Sequence, residues 1–199
     1  ANELYSKFEL IIKNYLNNNA KRKIFSKNNY NEYILRELVH QYRNYKIYTR
    51  WLIACFGYLN RQYVKRFRKD PLSKVATKAF KDIIFGDIKS KCIPIALELI
   101  ERDRNGEDID RTILHDFVQI FIDVSNNNTK LYKDDFEKLY LKGTQTYYYQ
   151  KIDYILSNEN INMHEYLIKC QNIIMDEQKR ENDYLDNSTH NELLKILYS

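Results

Sequence analysis

Tyr48-Thr-Arg-Trp-Leu-Ile-Ala-Cys-Phe-Gly-Tyr-Leu-Asn-Arg-Gln-Tyr-Val-Lys-Arg-Phe-Arg68 decides the fold, because it carries two apolar stripes where a surface helix needs one. Residues upstream extend the first of them. Leu35, Leu38, Tyr42, Tyr45, Leu52, Phe56, Leu59 and Tyr63 recur at steps of three, four and seven, one face of a long α-helix. Ile47, Trp51, Ala54, Tyr58, Arg61 and Lys65 make a second stripe, roughly 100° from the first at 3.6 residues per turn. A helix with two faces to satisfy has two neighbours. Spacing alone leaves open whether the second neighbour is a helix of the same chain or another protein. Trp, Tyr and Arg are the types most enriched at interface hot spots, since they bury a large area and keep a polar tip.

Upstream of this stretch, Leu4, Phe8, Ile11, Ile12 and Tyr15 share one face of a first helix, which the run Asn17-Asn18-Asn19 is expected to end. Asn28 and Asn29 are candidate caps for the long helix, which is expected from about Tyr30 to Phe67 with a break allowed near Tyr45–Tyr48. Asp70-Pro71 reads as an N-cap followed by a first helical position, and the main boundary is placed there. Downstream, Val75, Ala79, Ile83 and Ile84 form a helix that Gly86 should stop. Pro94 lies in the first turns of the next helix, which carries Ile95 to Ile100 and closes at Gly106. Asp110 should cap the most clearly amphipathic run, Ile113, Leu114, Phe117, Ile120, Phe121 and Val124. A polar loop from Ser125 to Lys130 leads to a helix running from Tyr132 past Gly143 to Leu156, and another spans Tyr166 to Leu185. Thr189 and Glu192 look like a capping box before Leu193. No stretch alternates with period two. The fold class is all-α, with stacked or bundled helix pairs.

Composition agrees. Only 4 Gly and 2 Pro occur in 199 residues, too few for sheets joined by tight turns. Hydrophobic content of 44% and charged content of 30% exclude a disordered chain. No apolar run approaches a membrane span. Cys55, Cys92 and Cys170, odd in number and set in apolar helical patterns, read as reduced, buried thiols of an intracellular protein. Ala1, with no Met before it, is followed at once by helical sequence and suggests a segment of something longer.

No catalytic or metal-ligating pattern emerges. His40, His115, His164 and His190 are scattered, and no HExxH, CxxC, phosphate loop or nucleophile elbow occurs. His115 beside Asp116 is read as a polar neighbour, and Asp134-Asp135 as charge matching a helix start. No enzyme and no cofactor are expected. The net charge of +5 is compatible with an acidic partner. The cluster Arg61, Lys65, Arg66, Arg68 and Lys69 is the best nucleic-acid candidate, but it also suits the negative end of a helix dipole and is read as a solvated helix end.

At Tyr58-Leu59-Asn60-Arg61, followed by Tyr63-Val64-Lys65-Arg66, the chain resembles the N-terminal domain of cullins. Further blocks agree in order: Leu99-Ile-Glu-Arg-Asp-Arg-Asn-Gly-Glu107, Tyr132-Lys-Asp-Asp-Phe-Glu137 running into Thr144 to Tyr149, Glu165-Tyr-Leu167 with Asp176-Glu-Gln-Lys-Arg180, and Tyr184-Leu-Asp-Asn-Ser-Thr-His-Asn-Glu-Leu193. The likeness covers essentially the whole chain and looks closest to the cullin-1 type, the scaffold of SCF-type ubiquitin ligases.

The resemblance implies an elongated stalk of cullin repeats, each a bundle of helices. Residues 1–70 would be the C-terminal part of the first repeat and 71–199 most of the second. It implies a non-catalytic scaffold, cytoplasmic or nuclear, that docks a Skp1-like adaptor carrying an F-box protein. The adaptor-binding residues would be Trp51, Ala54, Tyr58 and Arg61, which belong to the second stripe. The family's first two helices and its C-terminal half, where a RING subunit binds, have no counterpart here, so weak adaptor binding is expected of this segment alone. No membrane and no nucleic acid are expected as partners. A helical-repeat tether of a vesicle-docking complex is the alternative reading.

Overall fold

The structure, a computed structural model, describes residues 2–25, 32–158 and 162–198. Helices take up nearly all of these residues, and no strand occurs among them, as the fold class predicts. The chain packs as two compact units. Residues 1–101 with 123–127 form the first, and residues 102–122 with 128–199 the second.

In the first unit, α1 (Asn2–Tyr15) does not end at the asparagine run. It continues through a π-helical segment (Leu16–Lys21) into α2 (Arg22–Phe25). Burial explains why. Phe8, Ile12, Leu16, Ala20 and Ile24 are each at most 1% exposed and step by four residues. In a pure α-helix, four such steps would carry the stripe about 160° round the axis. The wider i→i+5 turn brings it back toward the core while Asn17, Asn18 and Asn19 stay in solvent. The candidate caps Asn28 and Asn29 lie outside the described residues.

The long helix α3 (Glu32–Cys55) passes through Tyr45–Tyr48 without a break. The interruption comes at Phe56, after which a second π segment (Leu59–Val64) leads into α4 (Lys65–Phe67). This arm ends with Arg68 in the left-handed region at φ 51° and the Lys69 N–H donating to the Val64 carbonyl at 3.1 Å. That is a Schellman-type stop with Arg in the place usually held by Gly.

Asp70-Pro71 does start a helix, one residue later than expected. Pro71 is extended, its carbonyl accepts from the Val75 N–H, and α5 (Leu72–Phe80) begins after it. Asp70 caps nothing and pairs with Lys74 at 2.7 Å instead. Gly86 is no stop, because its backbone is right-handed helical and α5 runs through a π segment (Lys81–Phe85) into α6 (Gly86–Arg104). Pro94 therefore lies well inside a helix, not in its first turns. With Phe80, Ile84, Phe85 and Ile88 almost fully buried on both sides of the glycine, tertiary packing overrides its breaking tendency. The core of this unit is aromatic. Tyr42 and Tyr45 pack on Phe80 at 4.7 and 5.3 Å, Phe8 meets Phe56 edge-on at 5.5 Å, and Tyr15 stacks on Tyr48 at 4.1 Å.

In the second unit, Gly106 closes α6 as expected. At φ 86° it allows the Gly106 and Glu107 N–H groups to reach the carbonyls of Asp103 and Arg102. Asp110 caps α7 (Arg111–Val124) by accepting from the Thr112 N–H at 3.1 Å. All six apolar residues of the α7 pattern are buried. Next, α8 (Lys130–Tyr132), a π segment (Lys133–Glu137) and α9 (Lys138–Asn158) run as one through Gly143, and α10 (Met163–Tyr184) follows.

The capping box lies elsewhere than expected. Asn162 and Glu165 form one at the start of α10. The Thr189 hydroxyl instead turns inward to Tyr132 and Glu137, both at 2.8 Å, within a short 3-10 turn (Asn187–Thr189) before α11 (His190–Leu197). The cysteines also depart from expectation. Cys92 is buried, and burial pushes its thiol up to about 12, but Cys170 is half-buried and Cys55 exposed. Cys55 falls at the end of α3, outside the buried stripe.

Candidate protein-docking site

On α3 and the arm that follows it, the two stripes have opposite fates. Leu35, Leu38, Tyr42, Tyr45, Leu59 and Tyr63 are buried, and Leu52 and Phe56 of the same stripe are half-buried. Ile47, Trp51, Ala54, Tyr58, Arg61 and Lys65 all face solvent. Trp51 is 66% exposed and Tyr58 64%, large apolar surfaces left in water by an otherwise packed helix. Steps of four, three and four place Ile47, Trp51, Ala54 and Tyr58 one above another along the rod.

The arm is held rigidly by what it touches on its inner side. The Phe56 N–H donates to the Leu52 carbonyl at 3.0 Å and the Leu59 N–H to that of Phe56 at 2.9 Å, so helical hydrogen bonding bridges the irregular turn. Tyr63 packs on Tyr5 and Phe67 at 5.7 and 4.8 Å and donates to Asn2 Oδ1 at 2.8 Å. Tyr5 donates to the Asp70 carbonyl at 2.9 Å. In Tyr58-Leu-Asn-Arg61, roles alternate. Leu59 is buried, Tyr58 and Arg61 are exposed, and Asn60 Oδ1 accepts from the Leu72 N–H at 3.1 Å. Asn60 thus caps the start of α5, a duty that spacing gave no reason to assign to it.

Nothing at this face is equipped for chemistry. Its side chains offer a phenol, an indole and cations, with no carboxylate or imidazole beside them. Among the described residues no three His, Cys, Asp or Glu side chains are placed to hold a metal ion. His115 and Asp116 form an exposed contact at 3.2 Å, as a polar neighbour would. The face is suited to non-covalent contact: exposed, aromatic at its centre and cationic at one end.

The second unit contains a different assembly that sequence patterns did not reveal. Arg104 is buried and paired with Glu177, which is itself fully buried. Tyr140 and Tyr148 donate to the Glu177 carboxylate at 2.8 and 2.5 Å, and Arg104 donates to the Thr144 hydroxyl at 2.6 Å. The Arg104 guanidinium lies 5.3, 5.5 and 5.6 Å from the rings of Tyr140, Tyr147 and Tyr148. A second layer surrounds the pair, with Arg180 reaching Asp103 at 3.1 Å and Arg111 reaching it at 2.8 Å. Burial alone would raise the Glu177 carboxyl, but Arg104 and the two phenols outweigh it and hold it below its usual range. Residues from three of the quoted blocks meet here: Asp103 and Arg104, then Thr144 and Tyr148, then Glu177 and Arg180. The cluster is closed to ligands and structural.

Comparison with known proteins places these arrangements. The cullin alpha solenoid domain family matches residues 1–199. The putative cullin-like protein 1 of Arabidopsis thaliana is 29% identical over 195 residues, covering 98% of this chain and 26% of that protein. Cullin-2 of Arabidopsis thaliana is 32% identical over 163 residues, 82% of this chain and 22% of the relative. Cullin-1 of Oryza sativa subsp. japonica is 33% identical over 144 residues, 72% of this chain and 19% of the relative. The chain thus spans about a quarter or less of the length of these relatives. With a match over its full length, with several cullins among its relatives and with an all-helical structure, this chain belongs to the cullin family.

Proposed function

We propose that this chain is a non-catalytic scaffold segment of a cullin-RING ubiquitin ligase and that Trp51, Ala54, Tyr58 and Arg61 dock a Skp1-like adaptor carrying an F-box protein. In this reading residues 1–70 belong to the adaptor-binding repeat and residues 71–199 to the repeat that follows. A RING subunit joins through a region outside this chain, and catalysis resides in the partners. The segment works as a spacer, since holding two partners at a fixed separation raises their effective concentration.

One observation carries the proposal. The helix that packs Tyr42, Tyr45, Leu59 and Tyr63 inward leaves Trp51 and Tyr58 in solvent. Desolvating two such aromatics beside a cation is the usual source of hot-spot energy. Membership of the cullin family supports a ligase scaffold over a vesicle tether. The test is titration calorimetry of a Skp1-like adaptor–F-box complex against the full-length protein. Tyr58→Ala should weaken binding by about 2 kcal/mol, roughly thirtyfold. Unchanged affinity would remove the assigned face.

A further inference from the structure

Between positions 43 and 69 the chain carries eight Lys and Arg and no Asp or Glu. The rest of the molecule holds 24 basic and 27 acidic residues, a net −3. The entire positive excess therefore resides on α3 and the arm after it. Among the described residues no carboxylate pairs with Arg50, Arg61, Lys65, Arg66, Arg68 or Lys69.

Beside the aromatic stripe lies a groove of about 650 Å³, entirely within the first unit. One wall is the 42–53 part of α3, the other the first turns of α5, and Asn126 and Asn127 close one side. Ile47 belongs to both the stripe and the groove, so the two surfaces are continuous. Lys46, Arg50 and Lys74 line the groove with the hydroxyls of Ser73 and Thr77. Its acid, Asp123, is already occupied by the Tyr42 hydroxyl at 2.9 Å and Lys46 at 2.8 Å. Arg50 is exposed, and its guanidinium rests 5.8 Å from the ring of Trp51.

We propose that this groove receives an acidic, extended segment of the docked protein partner, with Arg50 as its principal contact. The inference rests on the docking reading of the adjacent stripe and adds a second point of attachment to it. Attraction between such a segment and a groove whose three cations outnumber its one acid would speed encounter and fix orientation, while the aromatics supply the desolvated centre. A protein occupant is favoured over nucleic acid because the groove runs directly into exposed Ile47 and Trp51, whose apolar surface gains only from a partner that covers it.

The test uses Trp51, the only tryptophan of this chain, as reporter. Its fluorescence is titrated with a short Asp/Glu-rich peptide, with the Asn/Gln counterpart of that peptide, and with duplex DNA. The acidic peptide should give a saturable change that weakens as salt rises, and the neutral peptide none. Arg50→Glu should weaken the acidic peptide by about tenfold. Ser73→Glu, a charge that the start of α5 tolerates, should weaken it in the same direction. Tyr58→Ala should leave the peptide affinity unchanged while it lowers adaptor affinity, so failure of the groove and failure of the docking face read out separately. Equal response to both peptides, indifference to Arg50→Glu and Ser73→Glu, or tighter binding of DNA than of the acidic peptide would each overturn the proposal.

Discussion

Two regions of this molecule are built from the same residue types and put them to opposite use. Around Arg104, three tyrosines and a glutamate surround a buried guanidinium. Along α3 and its arm, Trp51, Tyr58 and Arg61 lie open to solvent with no carboxylate beside them. In the first arrangement the buried charges are answered from within, Arg104 by Glu177 and Glu177 also by two phenols, so it fixes how α6, α9 and α10 meet in the second unit. The second leaves its interactions unmade. Composition does not separate the two regions; what separates them is whether the side chains are covered within their own unit.

That contrast breaks most visibly at Glu177. Glu177→Ala would strand the buried Arg104 charge and should cost about 3–5 kcal/mol of stability, read from urea unfolding. A loss below about 1 kcal/mol would mean that the cluster is solvated and the contrast false. Tyr58→Ala should do the reverse, changing stability by less than about 0.5 kcal/mol while it weakens adaptor binding.

Acid should expose the same asymmetry. Because the folded state holds the Glu177 carboxyl below its ordinary value, the carboxylate stabilises the fold fully above that ordinary value. The contribution is lost as pH falls through the depressed folded value. Stability measured across the acid range should decline with falling pH, and Glu177→Gln should flatten the decline. An equally steep decline in that variant would assign the effect to other carboxylates.

Smaller effects sharpen the picture of the arm. Asn60→Ala removes the side-chain acceptor of the Leu72 N–H, on a fully buried residue, and should cost about 1 kcal/mol. Arg68→Gly relieves a left-handed non-glycine residue and should gain about 0.5–1 kcal/mol in thermal or urea unfolding.

Much of this was legible in sequence wherever the signal was local. The α7 stripe, the Asp110 cap and the Gly106 stop each depend on residues within a few positions, and each stands in the structure. The two stripes of α3 were legible for the same reason, and their fates, one buried and one exposed, became visible only in three dimensions. The expected stops at Asn17–Asn19 and Gly86 gave way because buried residues on both sides made continuation through a π turn more favourable than a break. Thr189 read as a helix cap, but a phenol and a carboxylate more than fifty residues away claim its hydroxyl. Arg104 and Glu177 carried no signal of their pairing in sequence. They are separated by 73 positions, and no periodicity links residues that far apart.

The most direct measurement compares two pairs of exposed aromatics. Adaptor affinity of the full-length protein is determined for Trp51→Ala/Tyr58→Ala and for Tyr149→Ala/Tyr154→Ala, whose rings on α9 are 60% and 62% exposed. The docking account predicts that the first pair abolishes detectable binding and that the second leaves it unchanged. Equal losses, or a loss confined to the α9 pair, would contradict it.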